Sequence, residues 1–347
     1  MRSRGKKFLR FLRFLLDLLW AYAHNIRREC MCRGRFGNAE LEQLKGLCLV
    51  MRTYIDCIPC FVRQTLDSVR LITADERIHE EVMRQALRLC SEIDLRQSPP
   101  AMAEKIHGFI RKLTGIEDPY LEVKNRCNKL AMEMYPELRQ QISRSERPFE
   151  TAVRLSIAGN IIDFGVTSDV TDSQVKEAVA ESLTAPLDKK AVYELEDAVA
   201  KARDVLYIGD NAGEIVFDRL LIEQLPVEKV TFVVKAAPII NDATLEDAQI
   251  VGLTDIVCVI DNGSAVPGTI LESCSEQFRQ RFAEADLVIA KGQGNYETIS
   301  DADKNIFFIL KAKCPVIARD LGCEVGEMIL RKNKLFDSAV DLIEEAE

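Results

Sequence analysis

An apolar run meets a polar turn in the segment Val205-Leu206-Tyr207-Ile208-Gly209-Asp210-Asn211-Ala212-Gly213-Glu214. The run before Gly209 has the character of a buried strand, and an amphipathic helical pattern, Ile215 to Leu225, follows the turn. Open α/β sheets carry their binding sites at such strand-to-helix turns. This turn presents a carboxylate and a carboxamide with no thiol or imidazole beside them. Such a set favours a hard cation such as Mg²⁺ or Mn²⁺ over zinc.

Four further apolar runs of strand length follow, spaced by segments long enough for helices. They are Val230 to Val234, Ile256 to Ile260, Leu287 to Ala290 and Pro315 to Ala318. Continuous apolar strands that alternate with helices predict a parallel sheet covered by helices on both faces. A polar residue follows each of the five runs, and parallel strands would gather these residues along one edge of the sheet. They are Asp210, Lys235, Asp261, Lys291 and Arg319.

The chain before this sheet has a different pattern, because its apolar residues recur at helical spacing from Phe61 to about Leu138. Breaking signals such as Ser98-Pro99-Pro100 separate the helical runs. We therefore predict an all-helical subdomain over residues 51–150 and an α/β domain over residues 151–347. An apolar helix is predicted at the start of the second domain, from Ala152 to Ile162.

Residues 1–50 differ in charge from the rest of the chain. They carry 11 Lys/Arg against 4 Asp/Glu, a net charge of +7, which leaves −16 for the remainder because the whole chain has −9. Arg13 and Asp17 interrupt their apolar stretch, making it too short and too charged for a membrane span or a secretory signal. We interpret residues 1–50 as a poorly structured or wrongly included extension before a natural start at Met51. A basic amphipathic surface helix is the alternative.

The composition of the remainder narrows the choice of partners and compartment. An acidic body argues against nonspecific nucleic-acid binding, and no membrane partner is expected. Eleven cysteines are scattered along a chain long enough to fold without disulfides, so we expect the reducing cytoplasm. The pair Cys57 and Cys60 forms a lone C-x-x-C motif, which is compatible with structural thiols, half of a second metal site or a redox pair.

The predicted sheet edge carries the groups that phosphoryl transfer to water requires. This reaction needs charge neutralisation, an activated water and donors for an anion. Asp210 and Asn211 would hold a cation from one strand end, and Asp242, after the second strand, would complete the protein ligands. Gly213 would let the next helix start close to the ligand, with backbone N–H groups available to an anion. Glu214 would orient a metal-activated water, the nucleophile, or interact with the helix N-terminus.

A second group of candidate residues follows the fourth strand, where Lys291 precedes a glycine-rich loop. A lysine suits a phosphate, and glycines let backbone N–H groups approach it. Asn160 and Asp163 offer further polar groups in otherwise apolar surroundings, or belong to an ordinary helix end. By contrast, we interpret Asp261-Asn262-Gly263 as turn chemistry or a substrate-side loop. Three histidines lie outside the sheet half, so a histidine-ligated metal is not expected there; they are His24, His79 and His107.

Four ordered motifs together resemble the DUF89 damage-control phosphatases, metal-dependent enzymes with an ARMT1-like domain. They are Asp210 to Glu214, Pro238 to Thr244, Lys291 to Tyr296 and Gly159 to Asp163. The resemblance covers about Met51 to the end, and Cys57 to Cys60 looks like the N-terminal cysteine pair of the stand-alone prokaryotic branch. The Arg-Thr-x-Lys element of the eukaryotic branch has no clear counterpart here.

This resemblance implies a three-layer α/β/α Rossmann-like domain with a helical N-terminal subdomain. It also implies a divalent ion, Mn²⁺, Mg²⁺, Co²⁺ or Ni²⁺, on Asp210, Asn211 and Asp242. The substrates implied are small phosphorylated metabolites such as sugar phosphates or damaged phospho-compounds. Substrate contacts are expected at the matched positions of the other motifs, which are Asn160, Asp163, Lys291, Gly292, Gly294, Asn295 and Tyr296.

Two other functions remain as alternatives. An S-adenosylmethionine-dependent carboxyl methyltransferase is the first, although such nucleoside-binding loops usually cluster glycines after the first strand and this chain has only Gly213 there. A metal- or ligand-binding protein without turnover is the second. Phosphate release from a sugar-phosphate panel, compared with methyl transfer, separates the three classes.

Overall fold

A computed structural model describes residues 51–160 and 172–333 of the chain, with side chains described from residue 175 onward in the second range. These residues lie in one compact unit, Val50–Glu347. Residues 1–50, interpreted above as an extension, fall outside the described residues, and the boundary near residue 150 stays a prediction. In the described ranges, none of the helices is long and apolar enough to span a membrane.

Helices dominate the first part of the described chain. They are α1 (Cys57–Ile72), α2 (Glu76–Ser91), α3 (Pro99–Thr114), α4 (Leu121–Arg144), α5 (Pro148–Gly159), α6 (Asp172–Thr184) and α7 (Lys189–Lys201). Local sequence accounts for their ends. The Asp75 side chain caps α2 by accepting the backbone N–H of Arg77 at 2.9 Å. Helix α3 begins with two prolines, and Gly115, with φ of +70°, caps its C-terminus. The predicted N-terminal helical region is confirmed.

The second part alternates strands and helices, as the apolar runs predicted. The strands are β1 (Val205–Ile208), β2 (Val230–Val234), β3 (Cys258–Asp261), β4 (Leu287–Lys291), β5 (Ile306–Lys311) and β6 (Met328–Lys332). The helices between them are α8 (Glu214–Ile222), α9 (Leu245–Ile250), α10 (Glu276–Glu284), α11 (Gly292–Ile299) and α12 (Pro315–Leu321). Together the strands form a six-stranded sheet in the order β3-β2-β1-β4-β5-β6.

The alternation of side chains along β1 explains the three layers. Val205 and Tyr207 join one apolar cluster with residues of α5, α7 and α8, whereas Leu206 and Ile208 join another with residues of α10, α11 and α12. All four strand residues are buried because helices cover both faces of the sheet. The predicted α/β/α Rossmann-like architecture is confirmed.

The prediction for the last strand was wrong. Residues Pro315 to Ala318 belong to α12, because proline suits the first turn of a helix, and Gly322, with φ of +69°, caps the C-terminus of α12. The fifth strand is instead β5, a run of six residues, and it pairs antiparallel with β6. Arg319 is therefore a helix residue and does not follow a strand. Its guanidinium lies 3.9 Å from the carboxylate of Asp56.

A buried histidine in the helical region gives a pH-dependent stability that can be measured. Burial lowers the pKa of His107 to about 4, with Arg111 as the smaller cause. The imidazole of His107 takes up a proton near pH 6.5 in the unfolded chain but only near pH 4 in the folded chain. The free energy of unfolding is therefore highest above pH 6.5 and decreases as the pH falls from 6.5 towards 4. When the pH is lowered from 7.5 to 5, His107 should cost the unsubstituted protein about 2 kcal/mol of its free energy of unfolding. His107→Leu lacks this titrating group, so its free energy of unfolding should fall by about 2 kcal/mol less over the same pH change. Urea unfolding at both pH values checks this, and equal losses would contradict it.

Candidate active site

The order of the strands defines where the sheet can bind a ligand. The chain passes from β1 to β2 and β3 on one side, and β4 and β5 lie on the other side of β1. The crevice at the carboxyl ends of β1 and β4 is thus the point where doubly wound folds bind ligands. Asp210 follows β1 here, and Lys291 ends β4.

The loops after β1 and β4 approach each other closely. A Cβ atom at Gly292 would overlap the carboxylate of Asp210, and Gly292 has a φ of +79°. Glycine is therefore required at position 292 for both its backbone conformation and its lack of a side chain. Because Gly292 has no Cβ, the carboxylate of the partly exposed Asp210 can lie directly against it.

The loop after β2 joins the loop after β1 through backbone hydrogen bonds. The N–H of Ala212 donates to the carbonyl of Asn241 at 2.9 Å, and the N–H of Ala243 donates to the carbonyl of Asp210 at 2.8 Å. Between these two bonds, Asn211 and Asp242 form an isolated antiparallel bridge. The three positions that the sequence offered as metal ligands thus lie on two paired segments of backbone.

Hydrogen bonds orient the Asn211 carboxamide. Its nitrogen Nδ2 donates to Oδ2 of Asp210 at 2.9 Å and to Oε2 of Glu214 at 3.0 Å. Because both N–H groups are used, the atom that Asn211 would offer a cation is its oxygen Oδ1. The same Glu214 oxygen accepts Nδ2 of Asn160 at 3.0 Å. The Oδ1 atom of Asn160 is buried and has no hydrogen-bond partner in the described parts of the chain.

The donors at this edge fit a hard divalent cation. Two carboxylates and one carboxamide oxygen are ligands of the kind that Mg²⁺ and Mn²⁺ take, with water and substrate oxygens filling further positions. In residues 51–160 and 172–333, no three His, Cys, Asp or Glu side chains are grouped so that they could hold a metal ion. The fit therefore depends on the amide of Asn211 together with Asp210 and Asp242.

Lys235 was not proposed as a site residue, yet it lies beside a predicted metal ligand. Its Nζ is 3.5 Å from Oδ2 of Asp242 and also donates to the carbonyl of Gly268. Lys235 directly follows β2 and is 4% exposed. The sequence could have indicated this role through the position of Lys235 at a strand end. Lys235 adds a positive charge to this edge of the sheet.

Lys291 is enclosed in the protein interior. Its fully buried Nζ donates to the carbonyl and the hydroxyl of Ser156 at 2.7 and 2.8 Å and to Oδ1 of Asp218 at 2.6 Å. It also lies 2.9 Å from Oε1 of Glu214. All three N–H donors of the ammonium group are therefore directed to protein oxygens, and the contact with a substrate phosphate stays a prediction.

Two carboxylates keep this buried lysine charged. Burial alone would lower the pKa of Lys291, but Asp218 and Glu214 outweigh that effect and the net pKa is raised. Burial raises the pKa of Asp218 to about 6, opposed by Lys291 and reinforced by Glu214. The hydroxyl of Tyr207 also donates to Asp218, at 2.8 Å. Lys291 therefore supports Glu214, which in turn orients Asn211.

The predicted glycine-rich loop is in fact the start of α11. Asn295 is buried, and its Nδ2 donates to the carbonyls of Lys291 and Gly209 at 2.7 and 3.2 Å. Tyr296 is also buried, with its hydroxyl 2.5 Å from Asp320. A Cβ at Gly294 would lie 3.2 Å from the backbone nitrogen of Gly268, so this position packs against another loop. These contacts join the ends of β1 and β4, and the substrate-binding roles stay predictions.

The N–H groups at the start of α8 are largely used within the protein. The N–H of Gly213 is not available to an anion, because it donates to Oδ1 of Asn128 at 2.6 Å. The N–H groups of Ile215 and Val216 are also used, since they donate to the carbonyls of Asn211 and Gly213. Local sequence could not show this, since Asn128 lies 85 residues away along the chain.

The remaining candidates lie elsewhere or outside the described residues. Cys57 packs partly buried against the apolar cluster of α1 to α3, while Cys60 is exposed, and burial raises the pKa of both thiols. This packing favours the structural interpretation of Cys57. Asp163 lies outside the described residues. Asp261 accepts the N–H of Gly263 at 2.8 Å, as a turn residue does.

Comparison with known proteins places this site in a family. A damage-control phosphatase of Archaeoglobus fulgidus is 35% identical over 284 residues, which cover 79% of this chain and 97% of that protein. A damage-control phosphatase of Pyrococcus horikoshii is 36% identical over 289 residues, covering 82% and 99%. The crystal structure of a DUF89 family protein from Pyrococcus horikoshii superposes with a TM-score of 0.74 at 34% identity, covering 82% of this chain and 100% of that one.

The family model agrees with these relatives and with the motifs at the sheet edge. The damage-control phosphatase ARMT1-like domain matches residues 53–329, which contain every described residue of the candidate site. This chain belongs to the damage-control phosphatase ARMT1-like (DUF89) family.

Proposed function

We propose that this protein is a divalent-metal-dependent phosphatase that hydrolyses small phosphorylated metabolites. The observation that carries the proposal is the pairing of the two loops that bear Asp210, Asn211 and Asp242 at the topological switch point. The relatives that are named damage-control phosphatases support phosphate-ester hydrolysis as the reaction. Cytoplasmic location remains a prediction.

In this proposal the ligands and their supports have separate roles. Asp210, Asn211 and Asp242 would hold the cation through side-chain oxygens. When bound, the cation would neutralise charge on the phosphate and activate a water. Glu214 acts as a positioning residue rather than as a water-orienting base, because it is fully buried and contacts Asn160, Asn211 and Lys291. Its two oxygens hold the amide nitrogen of Asn211 and the ammonium of Lys291.

The substrate phosphate would lie on the open side of Asp210, against the first turn of α11. Gly292 lets the Asp210 carboxylate lie close to this turn, and the first backbone N–H groups of a helix are suited to an anion. Lys291 would act from the interior by fixing Glu214. Asp210, Asn211 and Asp242 would supply only part of the ligands that a hard cation takes, which would leave room for a phosphate oxygen and water.

Phosphate release by the metal-stripped protein tests the proposal. We expect no release from a panel of sugar phosphates and other small phosphomonoesters after treatment with EDTA. Adding back Mn²⁺, Mg²⁺, Co²⁺ or Ni²⁺ should restore phosphate release, because a cation is needed between the carboxylates of Asp210 and Asp242 and the negatively charged phosphate. Methyl transfer from S-adenosylmethionine without phosphate release would favour the methyltransferase alternative. Metal binding with neither activity would favour a binding protein, and either result would contradict the proposal.

A further inference from the structure

A side chain of the helical region contacts the loop after β1 and also helix α9, which directly follows the loop that carries Asp242. Asn128 lies in α4 and is fully buried. Its Oδ1 accepts the N–H of Gly213 at 2.6 Å, in the loop after β1. Its Nδ2 donates to Oδ1 of Asp247 at 2.9 Å, in the first turn of α9. One carboxamide thus connects the two segments.

Asp247 in turn forms hydrogen bonds with the loop that carries Asp242. Its Oδ2 accepts the backbone N–H of Thr244 at 2.9 Å and the Thr244 hydroxyl at 2.7 Å, which closes a capping box at the start of α9. Thr244 is two residues after Asp242. The position of the second loop is therefore linked through Asp247 to Asn128.

The charge of Asp247 is balanced within the same group. Lys124, one helical turn before Asn128 on α4, donates to Oδ2 of Asp247 at 3.1 Å and lies 3.0 Å from Asp118. Lys124 is 2% exposed and Asp247 is 3% exposed. Such a buried, hydrogen-bonded group holds its members in one arrangement, because each lost bond would leave a buried polar atom unsatisfied.

We infer that Asn128 is a positioning residue of the active site, which sets the separation of the Asp210-Asn211 segment and Asp242 and thereby the affinity for the cation. This inference rests on the proposed function. The position needs both a donor and an acceptor, because Gly213 offers an N–H and Asp247 offers a carboxylate oxygen. Asn128 touches none of the proposed ligands and acts through the loops that carry them.

An exchange of the two side-chain groups isolates this role. In Asn128→Asp a carboxylate replaces the donor to Asp247, so two buried negative charges face each other. In the double variant Asn128→Asp/Asp247→Asn the charges are exchanged, and one amide again donates between the two positions. Leu138→Ala is the matched control, because Leu138 is buried in the core on the same helix, about 15 Å further along.

We expect Asn128→Asp to weaken Mn²⁺ binding at least about tenfold, the effect of removing a support of a metal ligand. The double variant should recover most of this loss, and Leu138→Ala should lower thermal stability without changing Mn²⁺ affinity. Peptides covering residues 210–214 and 241–247 should exchange backbone hydrogens faster in Asn128→Asp than in Leu138→Ala. Asn128→Ser is the replacement variant if Asn128→Asp does not fold.

Two results would overturn the positioning role. One is an Asn128 variant with unchanged Mn²⁺ affinity, and the other is unchanged exchange in both loop peptides relative to Leu138→Ala. Failure of the proposed function looks different, because the unsubstituted protein would then bind no Mn²⁺. In that case the exchange measurement still decides whether Asn128 holds the two loops.

Discussion

Asp210→Ala and Asp242→Ala each abolish phosphate release and leave the protein folded: this is the largest effect that the structure leads us to expect. Each change removes one of two carboxylates that face the proposed cation. A metal contributes several kcal/mol to stabilising the transition state, so kcat/KM should fall at least about a thousandfold. Phosphate release at saturating Mn²⁺ measures the loss, and circular dichroism with thermal unfolding checks the fold.

Asp261→Ala is the matched control for these two variants. Asp261 also ends a strand of the sheet, but it is exposed and accepts a hydrogen bond within its own turn. Its replacement should leave kcat/KM within about twofold, because a surface turn residue makes a small contribution. Full activity in Asp210→Ala or Asp242→Ala would remove the proposed metal site. Loss of activity in all three variants would show that the effect is not specific to the ligand positions.

Lys291→Met should be the most destabilising substitution at this site. It leaves Glu214 and Asp218 buried without their shared cation, and breaking a buried ion pair in this way costs about 3–5 kcal/mol. Urea unfolding with and without the substitution measures the free energy. The triple variant Lys291→Met/Glu214→Gln/Asp218→Asn removes the uncompensated charges, and we expect it to regain much of the lost stability.

The same variant separates two roles for Lys291. A phosphate contact, as the sequence suggested, would raise KM and leave the free energy of unfolding nearly unchanged. The interior role predicts instead a large loss in the free energy of unfolding. It also predicts weaker metal binding, because Lys291 acts on the cation site through Glu214 and Asn211. Unchanged stability in Lys291→Met together with a raised KM would contradict the interior role.

Local sequence patterns were sufficient for the central part of the fold. The runs at β1, β2 and β4 were located because four or five mostly apolar residues in series end at a polar turn. The meeting of Asp210 and Asp242 also followed from sequence, since parallel strands deliver their carboxyl ends to one edge. The run Ile306–Lys311 carried the same signal, but Pro315 to Ala318 was taken for the fifth strand, although its proline suits the first turn of a helix.

Long-range hydrogen bonds account for what the sequence could not show. Asn128 contacts Asp247 across 119 residues, and Lys291 contacts Ser156 across 135. Sequence periodicity does not predict such contacts, because they form only when elements that are distant in the chain pack together. A lysine before a glycine-rich segment is chemically suited to a phosphate, and only burial shows that this one faces Glu214 and Asp218.

Anomalous diffraction from crystals grown with Mn²⁺ tests the central claim most directly. The predicted result is one peak bonded to side-chain oxygens of Asp210, Asn211 and Asp242 at about 2.0–2.3 Å, the range for small hard divalent ions. A strong peak elsewhere, such as at Cys57 and Cys60, with these three side chains uncoordinated, would contradict it.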